Sequence, residues 1–392
     1  MNKPIQNTTE LRSQNRKKII SYLRRTDQAT KKDIAKALDL SVATVSSLGN
    51  QLIEEGFLKI SAYQNSNGGR SSGLLSLNPN SQYILGLNMA NPDIVEVGIM
   101  NLRNEKIQSR QYEAPGKGSL ETIIGRYKEC STKILRETGI KQDDLLGIGV
   151  AAPGIINREN GHLLNSTNKA LEDKPVLQAL TREFNTAVLI ENESNLLALA
   201  ASLCGHVRDP LQDVVYIYME KGLGIGIICN GRLVTGRTGF GGEVNHFPVG
   251  FRKYECWCGQ KGCIETELTM EGFLRKYAHE SGENGISTEK SWGNFIRAIK
   301  HDNGHAMAVL SENGKLLGQI SAMVASIFEP ESIFIGGITD EFFDKIQPHI
   351  ISEFTSRSVL NSVKKINITN SVNFRELIFQ GCGELVYSNW NP

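Results

Sequence analysis

The chain has 392 residues, of which 40% are apolar and 22% charged, and this composition is typical of a globular protein with more than one domain. Its longest apolar run, residues 145–156, is too short to cross a membrane, and the polar first eighteen residues lack the apolar core of a signal peptide. We therefore expect a cytoplasmic protein with no membrane segment, in a reducing compartment that disfavours disulfides.

The charge is unevenly distributed along the chain. Residues 1–78 contain twelve Lys or Arg and six Asp or Glu, a net charge of +6, and the rest of the chain carries −5, which together make the overall +1. A basic module joined to a mildly acidic body is typical of proteins that bind nucleic acid at one end. A solvated, charged helix face is the alternative explanation of the same counts.

Three helices are predicted in the basic module. Residues 11–25 place apolar side chains on one helical stripe, Thr30 caps a second helix, and Ser41 caps a third. The short turn through Asp39 between the last two predicts a helix-turn-helix, with a helical hairpin used for dimerisation as the alternative. The third helix is predicted to offer short polar side chains to phosphates and base edges of DNA: Ser41, Thr44, Ser46, Ser47 and Gln51.

A β-hairpin is predicted to follow the third helix, because FLKISAY and LLSLN both alternate apolar and polar residues. Arg70 follows two glycines at its tip, where a flexible backbone would let the guanidinium enter a narrow minor groove. A hinge residue without a DNA contact is the alternative. The combination resembles the winged helix-turn-helix of the ROK family (repressors, open reading frames, kinases), in which proline usually follows the Gly-Arg pair. Ser71 stands at that position here.

From residue 79 onward apolar strands alternate with helices, which predicts an α/β fold. Here too the chain resembles the ROK family, which implies a two-lobed, actin-like and sugar-kinase-like α/β body behind an N-terminal winged helix-turn-helix domain. The expected domains are the DNA-binding domain over 1–78, a first lobe over 79–200 joined by a C-terminal helix over 375–392, and a second lobe over 201–374 that mediates dimerisation.

Two glycine-rich turns bind the ATP phosphates in ROK kinases. By resemblance, Asn88, Asn91 and Pro92 replace Asp, Gly and Thr of the first turn, and Lys221 replaces Thr of the second. Pro92 lacks a backbone N–H, and side chains hinder close approach of the backbone to a phosphate. We therefore expect a kinase-like fold that neither binds ATP nor has catalytic residues, with the glycines at 222, 224, 226, 336 and 337 retained for packing and turns.

His246, Cys256, Cys258 and Cys263 provide one imidazole and three thiolates, the ligand set of a closed tetrahedral Zn²⁺ site. Four protein ligands leave no position for water, which predicts a structural ion. A disulfide and a metal-free loop are the alternatives. The remaining cysteines are predicted to be buried small side chains: Cys130, Cys204, Cys229 and Cys382.

The segment EVNH…CWCGQKGCIE matches the ROK motif Glu-x-Gly-His and Cys-x-Cys-Gly-x-x-Gly-Cys-x-Glu, except that Asn245 replaces glycine. Because Asn tolerates positive φ, we expect Asn245 to keep the glycine backbone. By resemblance, six side chains contact a sugar: Asn168, Asn192, Glu193, Glu243, His246 and Glu265. Glu193 stands for the catalytic aspartate of the kinases, and Leu171 stands where many relatives have Trp. A charged helix start is the alternative reason for the sequence ENESN.

These features together predict a sugar-responsive repressor, acting as a homodimer or homotetramer, that a bound sugar releases from operator double-stranded DNA. Two alternatives remain. One is an active ROK sugar kinase with an appended DNA-binding domain, and the other is a regulator controlled by a protein partner.

Overall fold

The computed structural model describes residues 8–66, 69–115, 118–164, 166, 168–203, 210–249, 254–282, 289–359, 363–371 and 373–392, with residues 8, 64–66, 69–72, 289 and 374 described by their backbone alone. The helices are α1 (Thr8–Arg25), α2 (Lys31–Leu38), α3 (Val42–Glu54), α4 (Leu120–Thr138), α5 (Val176–Phe184), α6 (Glu193–Leu203), α7 (Glu265–Leu268), α8 (Met270–Ser281), α9 (Glu289–Lys300), α10 (Gly304–Phe328), α11 (Phe343–Arg357) and α12 (Phe374–Asn389). The strands are β1 (Ala29–Thr30), β2 (Leu58–Ser66), β3 (Gly69–Leu77), β4 (Tyr83–Asn88), β5 (Ile94–Asn101), β6 (Lys106–Glu113), β7 (Leu145–Ala152), β8 (Ile155–Ile156), β9 (Leu163–Leu164), β10 (Val188–Asn192), β11 (Val214–Met219), β12 (Leu223–Cys229), β13 (Arg232–Leu233), β14 (Ser332–Gly337) and β15 (Asn367–Asn370).

Helices α1 to α3 and the β2–β3 hairpin form an N-terminal unit, which we call the head. The side chain of Thr30 accepts a hydrogen bond from the Asp33 N–H at 3.2 Å, and that of Ser41 accepts from the Thr44 N–H at 3.0 Å. Asp39, with φ of 52°, has the left-handed conformation that ends α2. The predicted caps and turn are therefore confirmed, since each depends on residues close together in the chain.

Two five-stranded mixed sheets form the two lobes of the body. Their strand orders are β10-β7-β4-β5-β6 and β13-β12-β11-β14-β15. In each sheet three antiparallel strands are extended by two parallel ones, so the same arrangement occurs twice. Helices α4 and α5 pack on the first sheet, and α8 to α11 belong to the core of the second lobe.

Two helices, α6 and α12, pack against each other between the lobes. Their contact is close because Gly381 has no side chain: a Cβ there would lie 2.2 Å from the Leu196 carbonyl oxygen. A Cβ on Gly226 would likewise lie 2.0 Å from the Ser194 carbonyl oxygen, so α6 is held against β12. The predicted packing role of Gly226 is confirmed.

The cysteines outside the predicted metal cluster are not all alike. Cys130 and Cys382 are buried, as predicted. Cys229 is partly exposed at the end of β12, so the prediction is wrong for this residue, and Cys204 lies outside the described residues. Among the helices described, none combines the length and the apolar character that crossing a membrane requires.

Candidate functional site

A cavity of about 240 Å³ lies between the two lobes. Its walls come from the loops at the carboxyl ends of β4, β7, β10 and β11, from the first turns of α12, and from Glu243, Asn245, Trp257 and Glu265. The carboxyl ends of parallel strands are where α/β proteins bind their ligands. We call this cavity the cleft.

Four of the six predicted sugar-binding side chains line the cleft. Asn192 and Glu193 reach it from the junction of β10 and α6, while Glu243 and Glu265 reach it from the second lobe. The side-chain oxygen Oδ1 of Asn192 accepts hydrogen bonds from the Ser194 hydroxyl at 3.1 Å and the Asn195 N–H at 2.8 Å. This side chain therefore caps α6 with its oxygen, and its Nδ2 group is the part that a ligand would contact.

The structure does not bring Asn168 into the cleft wall. Its side-chain oxygen instead accepts a hydrogen bond from the Ala170 N–H at 3.2 Å, within the turn that precedes α5. Leu171 is fully buried in the core of the first lobe. Leu171 therefore belongs to that core and not to the described cleft wall.

The four predicted metal ligands form a compact cluster, because their ligand atoms all lie within 4.8 Å of one another. The Cys258 and Cys263 sulfurs are 3.7 Å apart, and the Cys256 sulfur is 3.6 Å from His246 Nδ1. Tetrahedral Zn²⁺, with bonds of about 2.3 Å to sulfur and 2.0 Å to nitrogen, would separate such ligands by roughly 3.8 and 3.5 Å. The donor set and its spacing therefore fit Zn²⁺. A disulfide would need sulfurs about 2 Å apart, so Cys258 and Cys263 do not form one.

His246 stands between this cluster and the cleft. Its Nδ1 faces Cys256 and is 3.3 Å from Glu265 Oε2, while its Nε2 is 3.3 Å from the side-chain nitrogen of Asn245. Burial lowers the pKa of His246, which favours the neutral imidazole that metal ligation requires. The ring itself is not part of the described cleft wall, but it contacts residues that are, among them Asn245 and Glu265.

The prediction for Asn245 is wrong. Asn245 lies in a 3-10 turn and is absent from the residues with positive φ, so a special backbone conformation does not explain this position. Its side chain is 3% exposed and lines the cleft, with Nδ2 3.5 Å from Glu265 Oε2. The Asn245 side-chain oxygen is buried without a hydrogen-bond partner among the described residues, and such an atom gains from a donor supplied by a ligand.

Five of the described residues that line the cleft are glutamates: Glu96, Glu193, Glu220, Glu243 and Glu265. Burial, reinforced by the nearby Glu220 and Glu96, raises the pKa of Glu193 to about 8. Burial also raises the pKa of Glu220, and burial together with Glu265 raises that of Glu243 to about 7. At neutral pH Glu193 therefore holds a proton, and it can donate a hydrogen bond where an ionised carboxylate could only accept one.

Side chains hold the turn between β4 and β5 together. Asn88 donates from Nδ2 to Glu96 Oε2 at 2.6 Å and accepts from the Ala90 N–H at 3.2 Å. Pro92 is exposed in this turn, and Lys221 is exposed on the facing turn between β11 and β12. The described turns thus present amides, a proline and a lysine to the cleft, beside the backbone of Gly222 and Gly224.

The head presents α3 with one face in its core and one outside. Among the predicted DNA contacts, Ser41 and Ser47 are exposed. Thr44, Ser46 and Gln51 are only partly exposed, and side chains of the head engage them. Ser41 and Thr44 share a hydrogen bond of 2.8 Å, Lys31 donates to Ser46 at 3.2 Å, and Arg12 donates to Gln51 at 2.8 Å.

The predicted exposure of Thr44, Ser46 and Gln51 is therefore wrong in part. Helical periodicity could not reveal it, because α1 and the start of α2 supply the covering cations. Asn50, which was not predicted, is exposed on the same helix. The backbone of Arg70 lies in β3, but its side chain is outside the described part of the structure.

Helix α12 joins the head to the body, a contact that the sequence did not reveal. Arg24 on α1 pairs with Glu384 at 2.7 Å, and its guanidinium lies 3.9 Å from the centre of the Tyr387 ring. Lys17 donates to the backbone oxygens of Tyr387 and Trp390 and so caps the C-terminal end of α12. The buried core of the head also includes residues of α12 and of the first lobe: Ile84, Met100, Leu102, Phe379, Val386 and Tyr387.

Comparison with known proteins gives one relative and two structures of particular interest. The chain is 28% identical over 367 residues to the xylose repressor of Caldicellulosiruptor bescii, which covers 91% of both chains. The crystal structure of a ROK family transcriptional regulator, a homologue of the Escherichia coli MLC protein, matches with a TM-score of 0.81 at 19% identity over 96% of this chain and 97% of that one. A ROK hexokinase from Thermus thermophilus matches with a TM-score of 0.67 at 19% identity over 78% of this chain and 98% of that one.

Both structural matches confirm the predicted actin-like, kinase-like body. A winged helix-turn-helix DNA-binding model matches residues 12–59, which include α2 and α3. The ROK family model matches residues 87–372, most of the chain. The sheet arrangement, the cleft and these matches agree, and the chain belongs to the ROK family.

Proposed function

We propose that this protein is a sugar-responsive transcriptional repressor, which binds operator double-stranded DNA through the head and is released when a sugar fills the cleft. One observation carries the proposal: a single helix, α12, lines the cleft at its start and packs into the core of the head at its end. The similarity to a xylose repressor supports the same conclusion.

The cleft is suited to a polyol because it combines hydrogen-bond donors and acceptors. The protonated Glu193 and the amides of Asn192 and Asn245 can donate to sugar oxygens, and Glu265 can accept from sugar hydroxyls. Each group is at least partly buried, so a sugar that lacks one hydroxyl would leave a buried partner unsatisfied. Asn168 and His246 would join the set if the lobes closed on the ligand.

Helix α12 provides the connection from the cleft to the DNA. Arg375 and Ile378 line the cleft, and the same helix holds Arg24 of the head at Glu384. A sugar that draws the lobes together would displace this helix and, with it, the head. In a homodimer or homotetramer assembled through the second lobe, the displacement would alter the distance between two heads, and paired operator half-sites demand a fixed distance.

The domain boundaries follow from this arrangement. We infer a DNA-binding domain over residues 1–78, a first lobe over 79–200 completed by the helix within 375–392, and a second lobe over 201–374. The last of these carries both the metal cluster and the proposed dimer contacts.

A structural Zn²⁺ held by His246, Cys256, Cys258 and Cys263 would fix the segment that carries Glu243 and Glu265. Bound there, the ion would supply a rigid anchor. We expect Cys258→Ser to reduce the zinc content from about one ion per chain to nearly none and to lower the melting temperature. Cys229→Ser is the matched control, because Cys229 lies outside the cluster. This variant should keep the zinc content of the wild type. Equal zinc in both variants, measured by mass spectrometry, would refute the assignment.

We also infer that the cleft performs no phosphoryl transfer. Pro92 offers no N–H to a phosphate, and Asn88 occupies its side chain with Glu96. ATP-dependent phosphorylation of a hexose by the purified protein would contradict this inference and favour the kinase alternative.

The repressor proposal is tested by DNA footprinting upstream of the gene and its neighbours, with and without a panel of sugars. We expect protection of two half-sites that at least one sugar abolishes. Protection that no sugar alters would contradict the induction part of the proposal. A partner protein recovered with the DNA-bound complex would then favour control by that partner instead. The absence of any protected site would contradict DNA-binding repression itself.

A further inference from the structure

Trp257 is a large aromatic side chain in the wall of the cleft, and it is 49% exposed. It lies between two of the predicted metal ligands, Cys256 and Cys258. The edge-on contact of its ring with His246, at a centroid distance of 4.7 Å, fixes its orientation. Two backbone hydrogen bonds, from the Cys256 N–H to the Gln260 oxygen at 2.8 Å and from the Gly259 N–H to the Cys256 oxygen at 3.0 Å, close the turn around it.

Polar side chains surround the exposed indole of Trp257 in the cleft. Glu243, Asn245 and Glu265 line the same cleft, so an apolar ring face stands beside carboxylates and an amide. The other aromatic residue among the described lining residues, Tyr218, is 6% exposed and offers a ligand little ring surface. An exposed indole face next to polar groups is complementary to a molecule that is apolar on one face and polar around its edge.

A pyranose ring has this character. Its axial C–H groups form an apolar face, and its equatorial hydroxyls form a polar rim. An acyclic polyol with the same number of hydroxyls has the rim groups but no rigid apolar face. The geometry therefore distinguishes two classes of ligand that carboxylates and amides alone would bind alike.

We propose that Trp257 is the specificity-determining side chain of the cleft, which stacks on the C–H face of a pyranose and selects cyclic sugars over acyclic polyols. This inference rests on the proposed sugar response. The metal cluster positions the indole through both of its chain neighbours, so Trp257 belongs to the rigid side of the cleft.

The test is calorimetric binding of D-xylose and D-glucose, compared with xylitol and D-sorbitol, to the intact protein and to three variants. Trp257→Ala removes the ring, Trp257→Leu keeps apolar bulk without an aromatic face, and Trp257→Phe keeps a smaller face. Phe247→Ala is the matched control, because Phe247 is 59% exposed in the same segment but does not line the cleft. Zinc content and melting temperature report whether each variant is folded.

We expect the wild type to prefer a pyranose over the corresponding polyol. Removing an aromatic anchor from a binding site costs more than tenfold in affinity. Trp257→Ala and Trp257→Leu should therefore weaken pyranose binding by about 10-fold or more. Trp257→Phe should recover part of the affinity, and Phe247→Ala should bind like the wild type. Quenching of Trp257 fluorescence by the sugar, lost in Trp257→Phe, is the second readout.

Two failures can be told apart. If the wild type binds a pyranose and folded Trp257→Leu binds it equally well, the role of Trp257 is refuted and the sugar response stands. If the wild type binds none of the four probes, the role of Trp257 toward these sugars and the proposed response to them fail together.

Discussion

Glu193 is the residue at which the cleft departs most from an ordinary surface carboxylate. Its proton is retained because burial and the nearby Glu220 and Glu96 all disfavour a negative charge there. A kinase base at this position would have to be ionised to take a proton from a hydroxyl. A protonated Glu193 is instead suited to donate to a sugar oxygen, which accords with recognition without catalysis.

The raised pKa of Glu193 makes stability depend on pH. Between about pH 4.5 and pH 8 the folded protein holds this proton more tightly than the unfolded chain does, so the free energy of unfolding falls as the pH rises through this range. Glu193→Gln removes the titration. We expect this variant to melt above the wild type at pH 8.5, by the equivalent of a few kcal/mol, and close to it at pH 5.

The control for this prediction is Glu183→Gln, because Glu183 is an exposed carboxylate on α5. Its melting temperature should follow that of the wild type at both pH values. If the melting temperature of Glu193→Gln relative to the wild type does not increase between pH 5 and pH 8.5, Glu193 is ionised at both pH values.

Local spacing made part of the site predictable at the level of residues. The three cysteines and His246 lie within eighteen residues, so their approach to one ion requires only a tight loop. Asn245 and Trp257 were not assigned a role in the cleft, because their function depends on which wall they face. The backbone conformation at each residue and the position of the opposite lobe determine which wall it faces. Neither can be predicted from the motif.

At the level of elements, α12 contacts both the body and the head. It lies on β4, β5 and β7, crosses α6 at Gly381, and ends against α1. The Arg24–Glu384 pair in this last contact is largely buried, with side-chain exposures of 9% and 13%. Losing one partner of such a buried pair destabilises the fold, because the remaining charge stays out of water without its partner.

Charge reversal tests this contact. We expect Arg24→Glu alone, which puts two acids together, to destabilise the docking of the head by about 3–5 kcal/mol. Adding Glu384→Arg should restore part of that loss, although the stacking on Tyr387 would not return in full. Operator affinity and thermal unfolding are the measurements.

Arg25→Glu is the matched control, because Arg25 is the exposed neighbour of Arg24 and the change in net charge is the same. Comparable destabilisation by Arg25→Glu, or no recovery in the double variant, would refute the role of the ion pair.

The short helices of the head were predictable as elements, and their docking was not. Thr30 and Ser41 each cap a helix through a partner three residues away, so the caps are visible in a few letters of sequence. Ser21 and Tyr387 share a hydrogen bond of 2.7 Å across 366 positions. From the sequence alone, the basic residues of α1 resemble a solvated or DNA-binding face, although Lys17 and Arg24 face the body.

At the level of the whole molecule, the head and the first lobe share one apolar core. Ile19, Ile20 and Leu23 of α1 are fully buried in the same cluster as Val386 and Tyr387 of α12. We therefore expect the amides of these two helices to exchange with deuterium with similar opening free energies in the intact protein. Exchange in α1 at an opening free energy several kcal/mol lower would show that the head opens independently.

The two-lobed body was predictable as a class, because alternating strands and helices favour few other folds and the family motifs are specific. The width of the cleft was not, since it depends on how α6 and α12 space the lobes. The position of Asn168 shows the difference. Its motif predicts a ligand contact, while the structure places its side chain in the turn before α5, outside the cleft wall.

The shared core also affects how the protein is made. The ribosome releases α1 long before Tyr387, its partner 366 positions later, and at roughly 5–20 residues per second this gap lasts tens of seconds. During that time the head exposes the apolar surface that α12 later covers. A truncated chain keeps that surface exposed and its head incomplete. In the repressor that we propose, a chain that lacks α12 and part of the cleft would therefore also have an incomplete DNA-binding head.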